Sequence, residues 1–211
     1  LMQCGRVRHK MSEQMSNLPL QLNVRETKFA CPIDEDTPIQ EVFRSIAHDD
    51  TRSALIEQDI SEALNNGRRC LVLSQWNEHC QALADKLTQK GKVPFVLSGA
   101  QGKKERAAIL KSIQNTPQDK DLIVVATGQY LGEGFDCPQL DTLFLAFPVS
   151  FKGKLIQYVG RIMREHPSKK RVLVYDYRDS QVPVLNKMYA NRMKTYKTMG
   201  FTLSDQKETL L

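Results

Sequence analysis

Histidine and paired cysteine are scarce in this 211-residue chain, and each scarcity excludes a class of chemistry. The four histidines, His9, His48, His79 and His166, stand singly, with no acid or cysteine at motif spacing. The five cysteines, Cys4, Cys31, Cys70, Cys80 and Cys137, are odd in number, widely spaced and include no C-x-x-C pair. That pattern argues against a disulfide framework and against a zinc site, and for a reducing, cytoplasmic setting. Cys70 and Cys137 sit beside apolar runs and read as core or pocket fillers rather than nucleophiles. No apolar run approaches the roughly 18–20 residues that a membrane span needs. A G-x-x-x-x-G-K-[ST] phosphate cradle is also missing: the pairs Gly91-Lys92, Gly102-Lys103 and Gly153-Lys154 are followed by Val93, Lys104 and Leu155. The first residues, Leu1-Met2-Gln3-Cys4-Gly5-Arg6, carry no apolar signal region and do not read as a natural start, so the chain is expected to be a piece of something longer.

What is present suits one sizeable α/β domain with extra segments, and is too short for two nucleotide-binding domains. Hydrophobic residues make up 41% and charged residues 26%, enough to fill a core. The net charge of +6 is unevenly spread. Residues 31–62 hold nine acids against two arginines, a balance of −7; residues 161–200 hold ten Lys and Arg against three acids, a balance of +7. One strongly basic region in a nearly balanced chain fits a side facing a polyanion, and equally a solvated basic face.

The periodicity predicts an alternation of strands and helices. Residues 1–35 are mixed in charge and interrupted by Pro19 and Pro32, and read as irregular: the tail of a preceding domain or a linker. Residues 36–67 read as a helical lead-in. Thr37 caps its first helix with Pro38 in the first turn, and a second helix runs over 51–65 to Asn66-Gly67. From 68 to 180, strands at 70–74, 95–97, 122–126, 143–146 and 171–176 alternate with helices at 77–90, 103–113 and 154–164. A last helix over 183–199, with a tail, completes 181–211. The near-continuous apolar run Leu122-Ile123-Val124-Val125-Ala126 is what a parallel strand buried on both faces requires. Strands joined through helices imply a parallel sheet flanked by helices on both faces.

Ligands of such sheets bind at the carboxyl ends of the strands, and two segments of chemical interest fall there. Thr127-Gly128-Gln129-Tyr130-Leu131-Gly132-Glu133-Gly134-Phe135-Asp136 follows the buried strand. Its glycines permit close backbone approach to a ligand or simply serve a turn, and Thr127 offers a hydroxyl and an N–H to a phosphate. Gln157, Gly160, Arg161 and Arg164 fall at i, i+3, i+4 and i+7 of the next helix, a single stripe. Two guanidinium groups one turn apart can grip one polyphosphate, or can belong to an ion-paired basic surface. Ile33-Asp34-Glu35-Asp36 imitates an acidic magnesium motif. Pro32 breaks the strand that should precede it, and an acidic entrance to the following helix explains it better. Trp76 could stack on a base or cover the sheet edge. Lys187, Arg192, Lys194 and Lys197 of the last helix face either nucleic acid or water.

Together, the strand Cys70–Gln75, the loop Ala126–Asp136 with Thr127, Gly134 and Asp136, and Gln157-x-x-Gly160-Arg161-x-x-Arg164 resemble motifs IV, V and VI of the C-terminal RecA-like motor domain of superfamily 2 helicases, over about residues 68–180. Gln157 where DEAD-box proteins usually carry His, and the A-T-x-x-x-x-x-x-G-x-D form of the loop, resemble helicases acting on DNA, and the stretches Gly132–Pro138 and Leu140–Ala146 are similar to those of bacterial restriction-enzyme-like or repair-like helicases. The resemblance implies a RecA-like parallel sheet. Arg161 and Arg164 would be arginine fingers toward ATP, with Gln157 positioning the nucleotide, and Gly134, Asp136 and Gly160 would line the ATP cleft. Thr127, and less directly Ser98 and Gly99, would meet the backbone of DNA, with RNA a lesser candidate. ATP and Mg2+ would be held mainly by an N-terminal RecA-like domain of the same protein, so this piece alone would not hydrolyse ATP. Two rivals stand beside it. One is a non-catalytic RecA-like module binding nucleic acid or protein. The other is a methyltransferase or dehydrogenase, which would need a glycine fingerprint where Cys70–Ser74 is followed by Gln75-Trp76-Asn77-Glu78.

Overall fold

The computed structural model describes residues 18–32, 37–99, 101–131 and 135–204. The acidic run Ile33–Asp36 and Gly134 lie outside these residues. In chain order the elements are β1 (Leu20–Glu26), α1 (Ile39–Ala47), α2 (Asp50–Asn65), β2 (Cys70–Ser74), α3 (Asn77–Gln89), β3 (Phe95–Leu97), α4 (Lys103–Gln114), β4 (Ile123–Thr127), β5 (Thr142–Leu145), α5 (Lys152–Ile162), β6 (Val172–Arg178), α6 (Pro183–Thr198) and β7 (Thr202–Leu203). The strands form one seven-stranded sheet in the order β3-β4-β2-β5-β6-β1-β7, every pairing parallel.

Successive side chains of a strand point to opposite faces, so a strand buried on both sides supplies two cores at once. Leu71, Leu73, Val124 and Ala126 join Leu155, Val159, Ile162 and Tyr196 on the face covered by α4, α5 and α6. Cys70, Val72, Ile123 and Val125 join Ile56, Ile60, Leu83 and Leu87 on the face covered by α2 and α3. A third cluster, around Phe29, Val42, Ile46, Phe147, Val182 and Leu185, seats α1 against the start of α6. Trp76 packs onto it, its ring stacked 6.2 Å from that of Phe147.

Three expectations are corrected. Residues 20–26 are a strand, not an irregular stretch: Leu20 and Leu22 are buried, and β1 runs in register with β6 from Leu20↔Val172 to Glu26↔Arg178. Helix α1 begins one residue later than read, with Pro38 at the N-cap and no side-chain cap. The well-made cap belongs to α2, where the Asp49 carboxylate accepts the Arg52 N–H at 2.6 Å. Finally, Arg192 faces neither nucleic acid nor water. It is 3% exposed and forks onto the fully buried Asp176 with two bonds of 2.7 Å, while the Tyr196 hydroxyl donates to the same carboxylate at 2.9 Å. Arg52 and Asp179 form a second buried pair, with Nε–Oδ1 at 2.9 Å, to which the Thr27 hydroxyl donates at 2.6 Å.

Candidate functional site

The carboxyl end of β4 is the centre of the site. Thr127 closes the strand opposite Ser74, the Gly128 N–H donates to the Ser74 carbonyl at 3.2 Å, and the Tyr130 N–H returns to the Thr127 carbonyl at 2.9 Å. A tight turn therefore follows the strand directly. Gly128 is dictated by α5: a Cβ there would stand 1.8 Å from the Tyr158 hydroxyl. Thr127 is 4% exposed, and its hydroxyl oxygen is buried with no hydrogen-bond partner among the described residues. An unpaired buried hydroxyl is costly, and such groups in native folds call for an explanation.

Past the turn, Leu131 and Phe135 are both buried. Asp136 then emerges into solvent. Helix α5 meets this loop through its arginines. Arg161 donates from Nη1 to the Phe135 carbonyl at 2.8 Å, and Arg164 pairs with the Asp136 carboxylate. Both arginines are thus brought to the loop after β4. The expected single helical stripe is shortened, because α5 ends at Ile162 with Met163 as its C-cap and Arg164 projects from the turn beyond. Gln157 is exposed, and a Cβ built on Gly160 would meet nothing within 4 Å, so this face of α5 is open.

Ser98 and Gly99, at the end of β3, lie beside the same loop. Tyr130 lies over Gly99, whose Cβ would come 3.0 Å from the Tyr130 hydroxyl, and the Arg106 guanidinium covers the Tyr130 ring at 4.3 Å. Ser98 is buried. Its N–H donates to Gln101 Oε1 at 3.0 Å, and that of Gly99 to Asn77 Oδ1 at 3.3 Å.

One residue escaped the sequence reading. Lys169 is 6% exposed, and its ammonium donates to the carbonyls of Ile162 at 2.8 Å and Arg164 at 2.5 Å. It satisfies the Ile162 carbonyl that ends α5 and the Arg164 carbonyl just beyond, and so fixes the turn from which Arg164 projects. Burial lowers its pKa to about 8. Its only signal in the sequence is its place in Ser168-Lys169-Lys170, where nothing separates a capping lysine from a solvated one. His79 is the other buried titratable group at this edge. Its Nδ1 lies 2.9 Å from the Ser74 hydroxyl, and burial, followed by the charge of Arg52, lowers its pKa to about 3. The thiols of Cys70, Cys80 and Cys137 are pushed up by burial, Cys80 to about 12, which fits core packing rather than nucleophilic attack. Among the described residues no group of three or more His, Cys, Asp or Glu side chains could hold a metal ion. The guanidinium groups of Arg161 and Arg164 suit a phosphate oxygen.

The family model for the helicase conserved C-terminal domain matches residues 51–166, more than half of the chain. This chain belongs to that family. Transcript termination protein A18 of Myxoma virus (strain Lausanne) is 30% identical over 130 residues, a match covering 61% of this chain and 27% of that protein. The chain thus spans little more than a quarter of that relative. Among solved structures, T4 UvsW superposes with a TM-score of 0.67 at 20% identity, covering 89% of this chain and 41% of that one. S. cerevisiae Dbp5 bound to RNA and ADP BeF3 superposes with a TM-score of 0.59 at 12% identity, covering 88% and 41%. At these identities the likeness establishes the fold, a RecA-like parallel sheet with helices. No helix among the described residues is long and apolar enough to cross a membrane.

Proposed function

We propose that this helicase C-terminal domain is one half of an ATP-dependent motor, in which Arg161 and Arg164 supply positive charge to ATP held by a second, N-terminal RecA-like domain. The observation that carries the reading is the convergence of both arginines on the loop after β4, beside the exposed Gln157 and the open Gly160. Phosphoryl transfer is accelerated chiefly by positioning and by charge placed where the transition state becomes more negative, and guanidinium groups meet both needs. ATP and Mg2+ would both be held mainly by that other domain. In this proposal Asp136 and Gly134 line the cleft, and Asp136 holds Arg164 until phosphate competes for it. Thr127, whose hydroxyl has no partner among the described residues, meets a nucleic-acid phosphate, with Ser98 and Gly99 beside it.

DNA is the favoured track. The loop form A-T-x-x-x-x-x-x-G-x-D and Gln157 in place of the DEAD-box His support it, although Dbp5, a fold relative, is a protein bound to RNA. The bacterial restriction-like or repair-like kinship rests on the stretches Gly132–Pro138 and Leu140–Ala146, and the relative reported above is viral. One observation favours a non-catalytic binding module instead: both arginines already have protein partners, as purely structural latches would. Substitution separates the two. In the full-length protein, Arg161→Ala or Arg164→Ala should lower kcat for ATP hydrolysis by roughly 10³-fold while ATP binding changes much less. Wild-type turnover in either variant would remove that arginine from the mechanism.

A further inference from the structure

Phe151 stands at the N-cap of α5 and is 66% exposed, the one exposed residue among the described Phe, Tyr and Trp side chains. Its ring has a built support. It lies against Gly153, where a Cβ would come 2.7 Å from Cε1 and 3.4 Å from both Cδ1 and Cζ, so any other residue there would displace it. The loop beneath is tied down from behind: Gln75 Nε2 donates to the Pro148 carbonyl at 3.0 Å and Arg192 Nη1 to the Val149 carbonyl at 3.4 Å. An aromatic ring is therefore displayed on a fixed backbone.

Its surroundings are cationic. Lys152 and Lys154 are exposed on either side of Gly153, and no acidic residue occurs anywhere in α5. The first N–H groups of α5 have no intrahelical acceptor by helix geometry, and no side chain caps them. An apolar protein partner would have no use for the two lysines, and a purely anionic one none for the ring. A chain of alternating bases and phosphates uses both.

We propose that Phe151, Lys152 and Lys154 form a contact for single-stranded nucleic acid, in which a base stacks on the ring and its flanking phosphates meet the ammonium groups and the amino end of α5. The proposal rests on the nucleic-acid part of the reading above but uses residues that reading does not. It is tested on this chain with a fluorescein-labelled oligothymidylate and an abasic strand of equal length, by anisotropy at several salt concentrations, with the thermal midpoint of each variant confirming the fold. Phe151→Ala should weaken binding of the base-bearing strand roughly 5- to 150-fold, the range of one stacked base. Phe151→Trp should preserve binding, and the abasic strand should not distinguish Phe from Ala. Lys152→Ala with Lys154→Ala should flatten the log–log salt slope by about 1.4, about 0.7 for each phosphate met on a single strand. Unchanged affinity of Phe151→Ala, or equal weakening toward both strands, overturns the platform while leaving the motor reading intact. A parent chain that binds neither strand at low salt overturns the platform and the nucleic-acid reading together.

Discussion

His79 is neutral because of where its ring sits. It is 1% exposed, its Nδ1 shares a hydrogen bond with Ser74, its Nε2 has no partner among the described residues, and its pKa is lowered to about 3 against a usual 6.5. The sign of the linkage follows. Between pH 6.5 and about 3 the unfolded chain binds a proton at this position that the folded chain does not, so the stability contributed by the neutral ring is complete above 6.5 and lost as the pH falls. Urea unfolding of the parent and of His79→Gln at about pH 7, 6, 5 and 4 measures this. The variant should begin less stable, without the packed ring, but should lose stability less steeply below pH 6.5. Parallel declines would mean that acid unfolding comes from other groups. Lys169 presents the same physics with a different use, its desolvated ammonium donating to the last carbonyl of α5 and to the Arg164 carbonyl beyond it.

The elements show which signals a sequence carries. Strands β2 and β4 were legible because a strand buried on both faces must be apolar at every position, and Cys70–Leu73 and Leu122–Ala126 are. Strand β1 was missed because Gln21, Asn23, Arg25 and Glu26 give it the composition of a linker. Its cue was the alternation Leu20, Leu22, Val24, which marks a strand beside the sheet's edge. The arginines were legible by spacing, and their partners were not, since Phe135 and Asp136 reach α5 only through the loop after β4. Arg192 could not be told from its basic neighbours, because burial beside Asp176 is a tertiary fact. That pair fastens α6 to β6 without solvent. Removing one partner of such a pair leaves the other charge buried and alone, at a cost of about 3–5 kcal/mol, whereas replacing both with apolar residues costs far less. Arg192→Met should therefore destabilise strongly, and adding Asp176→Leu should recover part of the loss. A single variant as stable as the parent would show that water reaches Asp176.

For the whole molecule, the missing phosphate cradle and the uneven charge lead to a joint expectation: binding without turnover. The purified chain should bind DNA weakly, without sequence preference, and should not hydrolyse ATP. The basic region is smaller than its composition suggests. Arg192 and Lys169 are buried, and Arg178 stands 3.7 Å from Glu26, so the count of +7 over residues 161–200 overstates what phosphate can meet. Lys187, Lys194 and Lys197 are exposed along α6 and remain available. If they meet duplex phosphates, changing all three to Ala should weaken binding similarly across sequences and flatten the log–log salt slope by about three units, roughly one for each ammonium removed. Titration of a labelled duplex between about 50 and 200 mM salt reads this directly, because over that range a protein that meets many phosphates loses affinity steeply. An unchanged slope would assign the three lysines to solvent. Steady-state ATP turnover by the chain alone, abolished by Arg161→Ala, would sink the half-motor reading, since the phosphate cradle would then have to lie within these residues.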